Sequence, residues 1–360
     1  MGCTVIGCGK AVPARELTND DLSQLVDTSD EWIVQRTGIH TRRVCTTETA
    51  TDLAVAASRA ALGLPAAGSI EAAGWMDARL ADPFGPADLA SSIDLLICMT
   101  ITPDTTVPSQ AALVRSALGL KNAVAFDLNA ACTGCVYGIT VAENMMAAGH
   151  LAGSARGNGI RRALVVGVER LSRITDWTDR ATCILFGDGA GAVVLEWNDE
   201  RSGILSSFLK NTDDTEQVLV RENLFDRSTL PFPCGDEADS SSAFPPFISM
   251  NGQQVFKFAT YAMVEAIEAA LERAHLSVDD IACIVPHQAN ERIIRYAAKK
   301  LGKSLDLFQV SIASTANTSA ASALMALADA YLAGRISPGD KVVVAGFGGG
   351  LTSGAVLFEA

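Results

Sequence analysis

Residues 125–149 read AFDLNAACTGCVYGITVAENMMAAG, and residues 310–334 read VSIASTANTSAASALMALADAYLAG. Both segments are 25 residues long and align without a gap. In each, an apolar strand-like run passes through a small polar turn into an Ala-rich stretch of helical period. The match continues outward in the same order. DLLICMT (94–100) and a helix ending ALGL (117–120) precede the first segment; DIACIVP (280–286) and a helix ending KLGK (300–303) precede the second. ALVVGVE (163–169) and GAVVLE (191–196) follow the first, as KVVVAGFG (341–348) and GAVLFE (354–359) follow the second. The chain therefore reads as a duplication, with halves at 1–198 and 199–360. Short Val/Ile/Leu runs alternate with helical stretches such as Tyr261–Ala274 and Ser319–Ala333, which predicts an α/β architecture with buried sheets.

In the ungapped alignment Cys132 falls on Asn317, each where a strand is expected to turn into a helix. Two equivalent helix starts with different polar residues predict one site at a pseudo-twofold axis, built from both halves. A thiol there feels unpaired N–H groups and the positive end of the macrodipole. A favourable contact of up to ~2 kcal/mol would lower the usual pKa of about 8.5 by roughly 1.5 units. Cys132 is then expected to be about half thiolate near neutral pH, which suits a nucleophile.

Cys135 completes a CxxC, which raises two other readings. A zinc site needs two further ligands, and no second CxxC or HxxxH follows. A thioredoxin-like redox pair also opens a helix after a strand, but that unit is a small domain. The remaining reading makes Cys135 a buried neighbour one helical turn on. The other cysteines are scattered, and several, such as Cys98, Cys183 and Cys283, sit in apolar runs as small hydrophobes. Nine cysteines in all suggest no disulfide framework.

His40, His150 and His275 read as surface residues. His287 ends the apolar strand IACIVP and begins HQAN, and loops leaving strand ends are where α/β folds carry chemistry. GFGGG (346–350) and FGDGAG (186–191) each run into a strand and not a helix, so a nucleotide-phosphate loop is excluded. A glycine turn offering backbone N–H groups to an oxyanion fits better.

Bulk properties narrow the class. The 360 residues are 49% hydrophobic and 19% charged, a composition that packs and does not read as disordered. No apolar run reaches the roughly 18 residues of a membrane span. The start MGCTVIGCGKAVP lacks the pattern of a signal peptide, and Ile6 breaks the myristoylation motif. A cytoplasmic protein off the membrane is expected. The net charge of −13 argues against nucleic acid and requires any acidic partner to meet a local basic patch.

Cys132 in AACTG, His287 in PHQAN, Asn317 in ANTSAAS, and the FGDGAG and GFGGG turns resemble the thiolase superfamily. Within it the chain is similar to the β-ketoacyl-ACP synthase III enzymes, over nearly its whole length. The resemblance implies a duplicated five-layer αβαβα fold, a homodimer, and a decarboxylative condensation of an acyl-CoA primer with malonyl-ACP. It implies that Cys132 takes the acyl group, and that His287 and Asn317 hold the malonyl thioester carbonyl. Backbone N–H groups of Cys132 and Gly349 would form the oxyanion hole. Trp32 and Arg173 would sandwich the CoA adenine, with Arg36 near the phosphates. Val107 would line the acyl pocket. No resident cofactor or metal is implied, since CoA thioester and carrier phosphopantetheine are substrates.

The carrier protein is acidic, and Arg292, Arg295, Lys299 and Lys300 after HQAN, together with Lys257, are the candidate dock. Positions 292, 295 and 299 share one helical face; the plain alternative is a solvated face. Departures from the family are the long connection 65–92, which reads as a surface insertion, Cys135, and Val107. An acyltransferase of secondary metabolism with another acceptor would carry nearly the same motifs. A silent thiolase-fold scaffold would not need the intact Cys-His-Asn set.

Overall fold

The computed structural model describes residues 1–65, 70–76, 91–150, 159–200, 203–221 and 247–360. Six strands of the first part of the chain belong together: β1 Gly2–Val12, β2 Glu71–Met76, β3 Leu95–Met99, β4 Val124–Leu128, β5 Arg162–Arg170 and β6 Asp188–Asn198. They form one sheet in the order β2-β1-β6-β5-β3-β4. A second sheet takes four strands of the second part, β7 Ile204–Asn211, β8 Cys283–Pro286, β9 Lys341–Gly348 and β10 Thr352–Glu359, in the order β8-β9-β10-β7. In the first sheet β3 runs parallel to β5, and β5-β6-β1 continue antiparallel. In the second, β8 is parallel to β9, and β9-β10-β7 continue antiparallel. The same four-strand motif is therefore built twice.

Helix α1, Asp30–Thr37, packs in a separate cluster with Cys183 and Ile312, while α2 Ala50–Ala61, α3 Gly134–His150, α4 Gly252–Arg273, α5 Glu291–Lys300 and α6 Ser322–Leu332 lie in three layers. α3 and α6 lie between the sheets. One buried cluster joins Val165 and Val193 of the first sheet, Ile139 of α3, Leu324 of α6, and Val344 and Val356 of the second sheet. Sheets on both sides explain why α6 is buried along nearly its whole length and is so rich in alanine. Glycine in the strands lets it approach. A Cβ on Gly191 would stand 2.6 Å from Leu324 Cβ, and one on Gly167 only 2.5 Å from Ala320 O. α2 covers the outer face of the first sheet, and α4 and α5 cover that of the second. The fold is the expected αβαβα sandwich.

Three details differ from expectation. The start of the 310–334 segment is not a strand but a short helix, Ile312–Thr315. The Gln288 Oε1 accepts from the N–H groups of Ser311 (2.8 Å) and Ile312 (3.2 Å), drawing that backbone away from the β8 ladder. Only a single bridge, Ile284 to Phe308, remains of the pairing. Second, part of the presumed surface insertion 65–92 is the edge strand β2, paired antiparallel with β1; the ring of its Trp75 stacks on Tyr331 of α6 at 4.0 Å. The rest of that insertion, 66–69 and 77–90, lies outside the described residues. Third, the helix expected at Tyr261–Ala274 begins at Gly252, so Lys257 is helical. Among the described residues, no helix is long and apolar enough to cross a membrane.

Candidate active site

Cys132 sits in a single 3-10 turn, Ala131–Thr133, that leads into α3, and a second such turn, Ser319–Ala321, follows Asn317 and leads into α6. The residue before each aligned position is left-handed: Ala131 has φ 45° and Ala316 φ 55°. A residue bearing a Cβ pays for that conformation, and such strain gathers where a side chain must be aimed. Its recurrence at both copies ties the duplication to this site.

The glycine hairpin between β9 and β10 closes over the thiol. A Cβ on Gly348 would lie 2.8 Å from Cys132 N and 3.2 Å from its Cα. Gly348→Ala must therefore displace the Cys132 backbone. The expected cost is about 1–3 kcal/mol in denaturant unfolding, accompanied by slower thiol alkylation; unchanged alkylation would show that the hairpin is not pressed on the turn.

Cys132, His287, Asn317 and Gly349 all line one cavity of about 1270 Å³. Its walls are largely apolar, with Leu219 and Phe256 among them. His287 is 1% exposed at the end of β8, and burial holds its pKa down at about 3, so the ring is neutral. Its Nδ1 lies 2.5 Å from Ser322 Oγ, and the ring meets Phe347 edge-on at 5.1 Å. The Asn317 Oδ1 accepts from Ser319 N–H at 2.8 Å. With the carbonyl oxygen so engaged, the amide nitrogen is left as the free donor. The Asn317 main chain is fixed by bonds to Leu185 O and from Gly187 N–H, so the residue is clamped to the start of β6.

The thiol itself departs from expectation. Cys132 is pushed up to about 12, first by burial, with the Ser319 hydroxyl and its own N–H pulling the other way. α3 proper begins only at Gly134, and desolvation under the hairpin outweighs the dipole. The resting residue is a thiol, not half a thiolate. Cys135 is 0% exposed in the central cluster and faces no cavity; burial raises it to about 12 as well. Both are free thiols.

Trp32 and Arg36 lie one turn apart on α1, with the Arg36 guanidinium 5.5 Å from the Trp32 ring. The closer cation is Arg180, at 4.6 Å, whose Nη1 also donates to Asp27 O at 2.7 Å. Arg173 is exposed at the end of the short turn Leu171–Arg173, and its charge acts on Arg221 at the cavity wall. Arg180 gave no sequence signal beyond that of a solvated arginine. Asn290, a cavity-lining residue, donates to Arg36 O at 3.0 Å and so places α1 beside the mouth. Val107 is 86% exposed and lines no part of the cavity within one chain, because its loop turns it outward while Thr105 and Thr106 face in. Arg292, Arg295, Lys299 and Lys300 are exposed on α5, with Lys257 exposed on the neighbouring α4. The Arg295 guanidinium is paired with Glu291, and Arg292 stacks over Phe256 at 5.2 Å.

A buried thiol, a neutral imidazole and an amide donor brought to one tunnel by the two halves of an αβαβα duplication define a thiolase-fold enzyme. Comparison with known proteins narrows this. The family model for 3-oxoacyl-[acyl-carrier-protein (ACP)] synthase III matches residues 126–213, and that for its C-terminal part matches residues 271–360. The β-ketoacyl-[acyl-carrier-protein] synthase III of Alkalilimnicola ehrlichii is 43% identical over 99% of this chain and 98% of that protein. That of Clostridium acetobutylicum is 40% identical over the same shares. The crystal structure of the Aquifex aeolicus VF5 enzyme superposes with a TM-score of 0.83 at 36% identity, covering 100% of both chains. This chain belongs to the β-ketoacyl-[acyl-carrier-protein] synthase III family.

Proposed function

We propose that the halves 1–198 and 199–360 divide one condensation between them, Cys132 carrying the acyl group and His287 with Asn317 activating the second substrate. As a member of the family the chain is an acyltransferase that initiates fatty acid synthesis. Cys132 Sγ attacks the thioester of acyl-CoA, the bond from carbonyl carbon to CoA sulfur breaks, and CoA leaves. Malonyl-ACP then enters the tunnel. Its carboxylate departs as CO2, and the electron pair passes to the thioester oxygen as an enolate. The enolate carbon attacks the acyl carbonyl, whose oxyanion is held by the N–H groups of Cys132 and Gly349, and the thiolate of Cys132 leaves.

The observation that carries this reading is the fixed polarity of Asn317. Its oxygen accepts from Ser319 N–H, which orients the amide and leaves both N–H groups of its nitrogen to donate. His287 becomes a second neutral donor when Ser322 O–H donates to Nδ1 and the ring proton sits on Nε2. Two neutral donors aimed at a developing enolate stabilise it without a cation. Trp32, Arg36 and Arg173 would grip the CoA nucleotide at the mouth, with Arg180 already over the indole. No resident cofactor or metal takes part, and the reaction runs in the cytoplasm.

A homodimer is supported by β4, an edge strand whose Val124 is exposed, and by the outward Val107. Val107 touches an acyl chain only if a second copy brings it there. Intact-mass measurement after incubation with a panel of acyl-CoAs, then malonyl-ACP, tests the scheme. One acyl mass should appear on Cys132 and vanish on adding malonyl-ACP; no acyl adduct with any acyl-CoA would sink it.

Lys257 and the α5 cations are the proposed carrier-protein dock. Arg292→Glu with Lys299→Glu should lower the rate with malonyl-ACP about tenfold and flatten its salt dependence, while leaving acyl-CoA loading unchanged. Arg295→Glu should matter less, because Glu291 already neutralises that charge. Equal losses in both half-reactions would count against the dock.

A further inference from the structure

The turn that carries the nucleophile and the glycine hairpin above it are joined by two buried hydroxyls. Thr133, next to Cys132, is fully buried, and Thr352, the first residue of β10, is nearly so at the cavity wall. Their Oγ1 atoms lie 2.7 Å apart. Thr133 Oγ1 also lies 3.3 Å from Thr352 O, and Thr352 Oγ1 lies 3.4 Å from Gly349 O. Each hydroxyl has one proton to give. If Thr133 donates across the short contact, Thr352 is left to donate to Gly349 O. If Thr352 donates across it, Thr133 is left to donate to Thr352 O. Either way the pair makes one bond between turn and hairpin and a second to a hairpin carbonyl. Among the described residues, the direct hydrogen bonds between the Cys132 turn and this hairpin all run through the Thr133 hydroxyl.

The hairpin has little else to hold it at that height. Thr352 pairs with Gly348 on the last rung of the β9–β10 ladder. Beyond it the turn 349–351 is left-handed at Gly350 (φ 69°) and Leu351 (φ 46°). Gly346 and Gly348 let the hairpin come down on Thr133 and Cys132, but glycine has no side chain to keep it there. We propose that the Thr133–Thr352 pair is a latch that sets the separation of the Cys132 and Gly349 N–H groups. Both threonines are then positioning residues for the oxyanion, Thr133 beside one donor and Thr352 at the foot of the turn that carries the other. The inference rests on those two N–H groups forming the oxyanion hole.

Such a latch has a signature that His287 and Asn317 do not share. The acyl carbonyl becomes an oxyanion twice, when Cys132 attacks acyl-CoA and when the enolate attacks the acyl-enzyme. Donors held at the wrong spacing therefore slow loading and condensation alike. Decarboxylation, whose enolate is served by His287 and Asn317, is spared. Both hydroxyl protons are spent within the protein, so neither is offered to a substrate. The effect should fall on the maximal rate and not on the acyl-CoA concentration that gives half of it.

Single-turnover loading from acetyl-CoA, followed by intact mass, tests the latch. Thr133→Val keeps the shape and removes the hydroxyl. Its maximal loading and condensation rates should each fall about tenfold, short of the 10²–10³-fold lost with a whole oxyanion donor. The half-saturating acetyl-CoA concentration and the rate of CO2 release should stay as in the wild type. Thr133→Ser keeps the hydroxyl and should recover most of the rate. Thr133→Val combined with Thr352→Val leaves neither hydroxyl without its partner, so it should be no less stable than Thr133→Val alone, yet load as slowly. Wild-type rates in Thr133→Val, a loss confined to condensation, or a double variant whose rate returns with its stability would overturn the proposal. If Thr133→Val does not fold, the double variant decides. Isotope-edited infrared spectra of the acetyl-enzyme test the hole separately. Two well-placed donors should lower the wild-type thioester carbonyl stretch below that of acetyl-CoA in water, and Thr133→Val should move it back up. A lowered band that Thr133→Val leaves in place would sink the latch with the hole intact. No lowering in the wild type would instead defeat the oxyanion-hole assignment on which the latch rests.

Discussion

Cys132→Ser should abolish acyl loading, while Cys135→Ser should leave most of it. A serine hydroxyl ionises far less readily than a thiol, and His287 and Asn317 offer it only neutral hydrogen bonds. Cys132 lines the tunnel against the glycine hairpin, whereas Cys135 faces the apolar layer between the sheets. Cys135→Ser buries a hydroxyl there and should cost about 1–3 kcal/mol of stability without touching the chemistry. Iodoacetamide should label Cys132, and slowly at neutral pH, because burial keeps the thiol protonated. Preferential labelling of Cys135 would defeat the assignment. A disulfide between the two, formed under mild oxidation, would restore the redox reading of the CxxC.

The repeat was legible in sequence for a physical reason. α3 and α6 each pack between two sheets, so both are rich in small apolar residues, and the strands on either side are continuous hydrophobic runs. Position 132 against 317 then followed from register alone. What stayed hidden depends on contacts between distant parts of the chain. Nothing in residues 310–316 shows that the side chain of Gln288 will capture their amides and replace a strand by a helical turn. Nothing in AAGWM shows that Trp75 will find Tyr331 across the fold and extend the first sheet. The helix-start argument for Cys132 counted the dipole correctly in sign but could not count the hairpin that desolvates the thiol. The adenine-site arginines show the same limit. Arg36 follows Trp32 by one turn of a helix, a local relation, while Arg180 reaches the ring through tertiary folding.

His287→Ala and Asn317→Ala should both accumulate acyl-enzyme and fail at decarboxylation. Each removes one neutral donor from the developing enolate, and the loss of one such donor costs about 2.7–4 kcal/mol, or 10²–10³-fold in condensation. The double variant should lose less than the product of the two, since both donors serve one oxygen. Asn317 needs a further control, because its oxygen also holds Ser319 N–H and alanine frees that group. Asn317→Asp keeps the acceptor for Ser319 N–H and replaces the donor by a carboxyl group, so it should show at least the same condensation defect while leaving the turn intact. Single-turnover assays score the two halves separately, loading by intact mass and decarboxylation by CO2 release. An Asn317→Ala enzyme that decarboxylates malonyl-ACP normally but cannot be acylated would overturn the division of labour. It would place Asn317 with the nucleophile, and the two strained junctions at Ala131 and Ala316 would then serve one half-reaction instead of two.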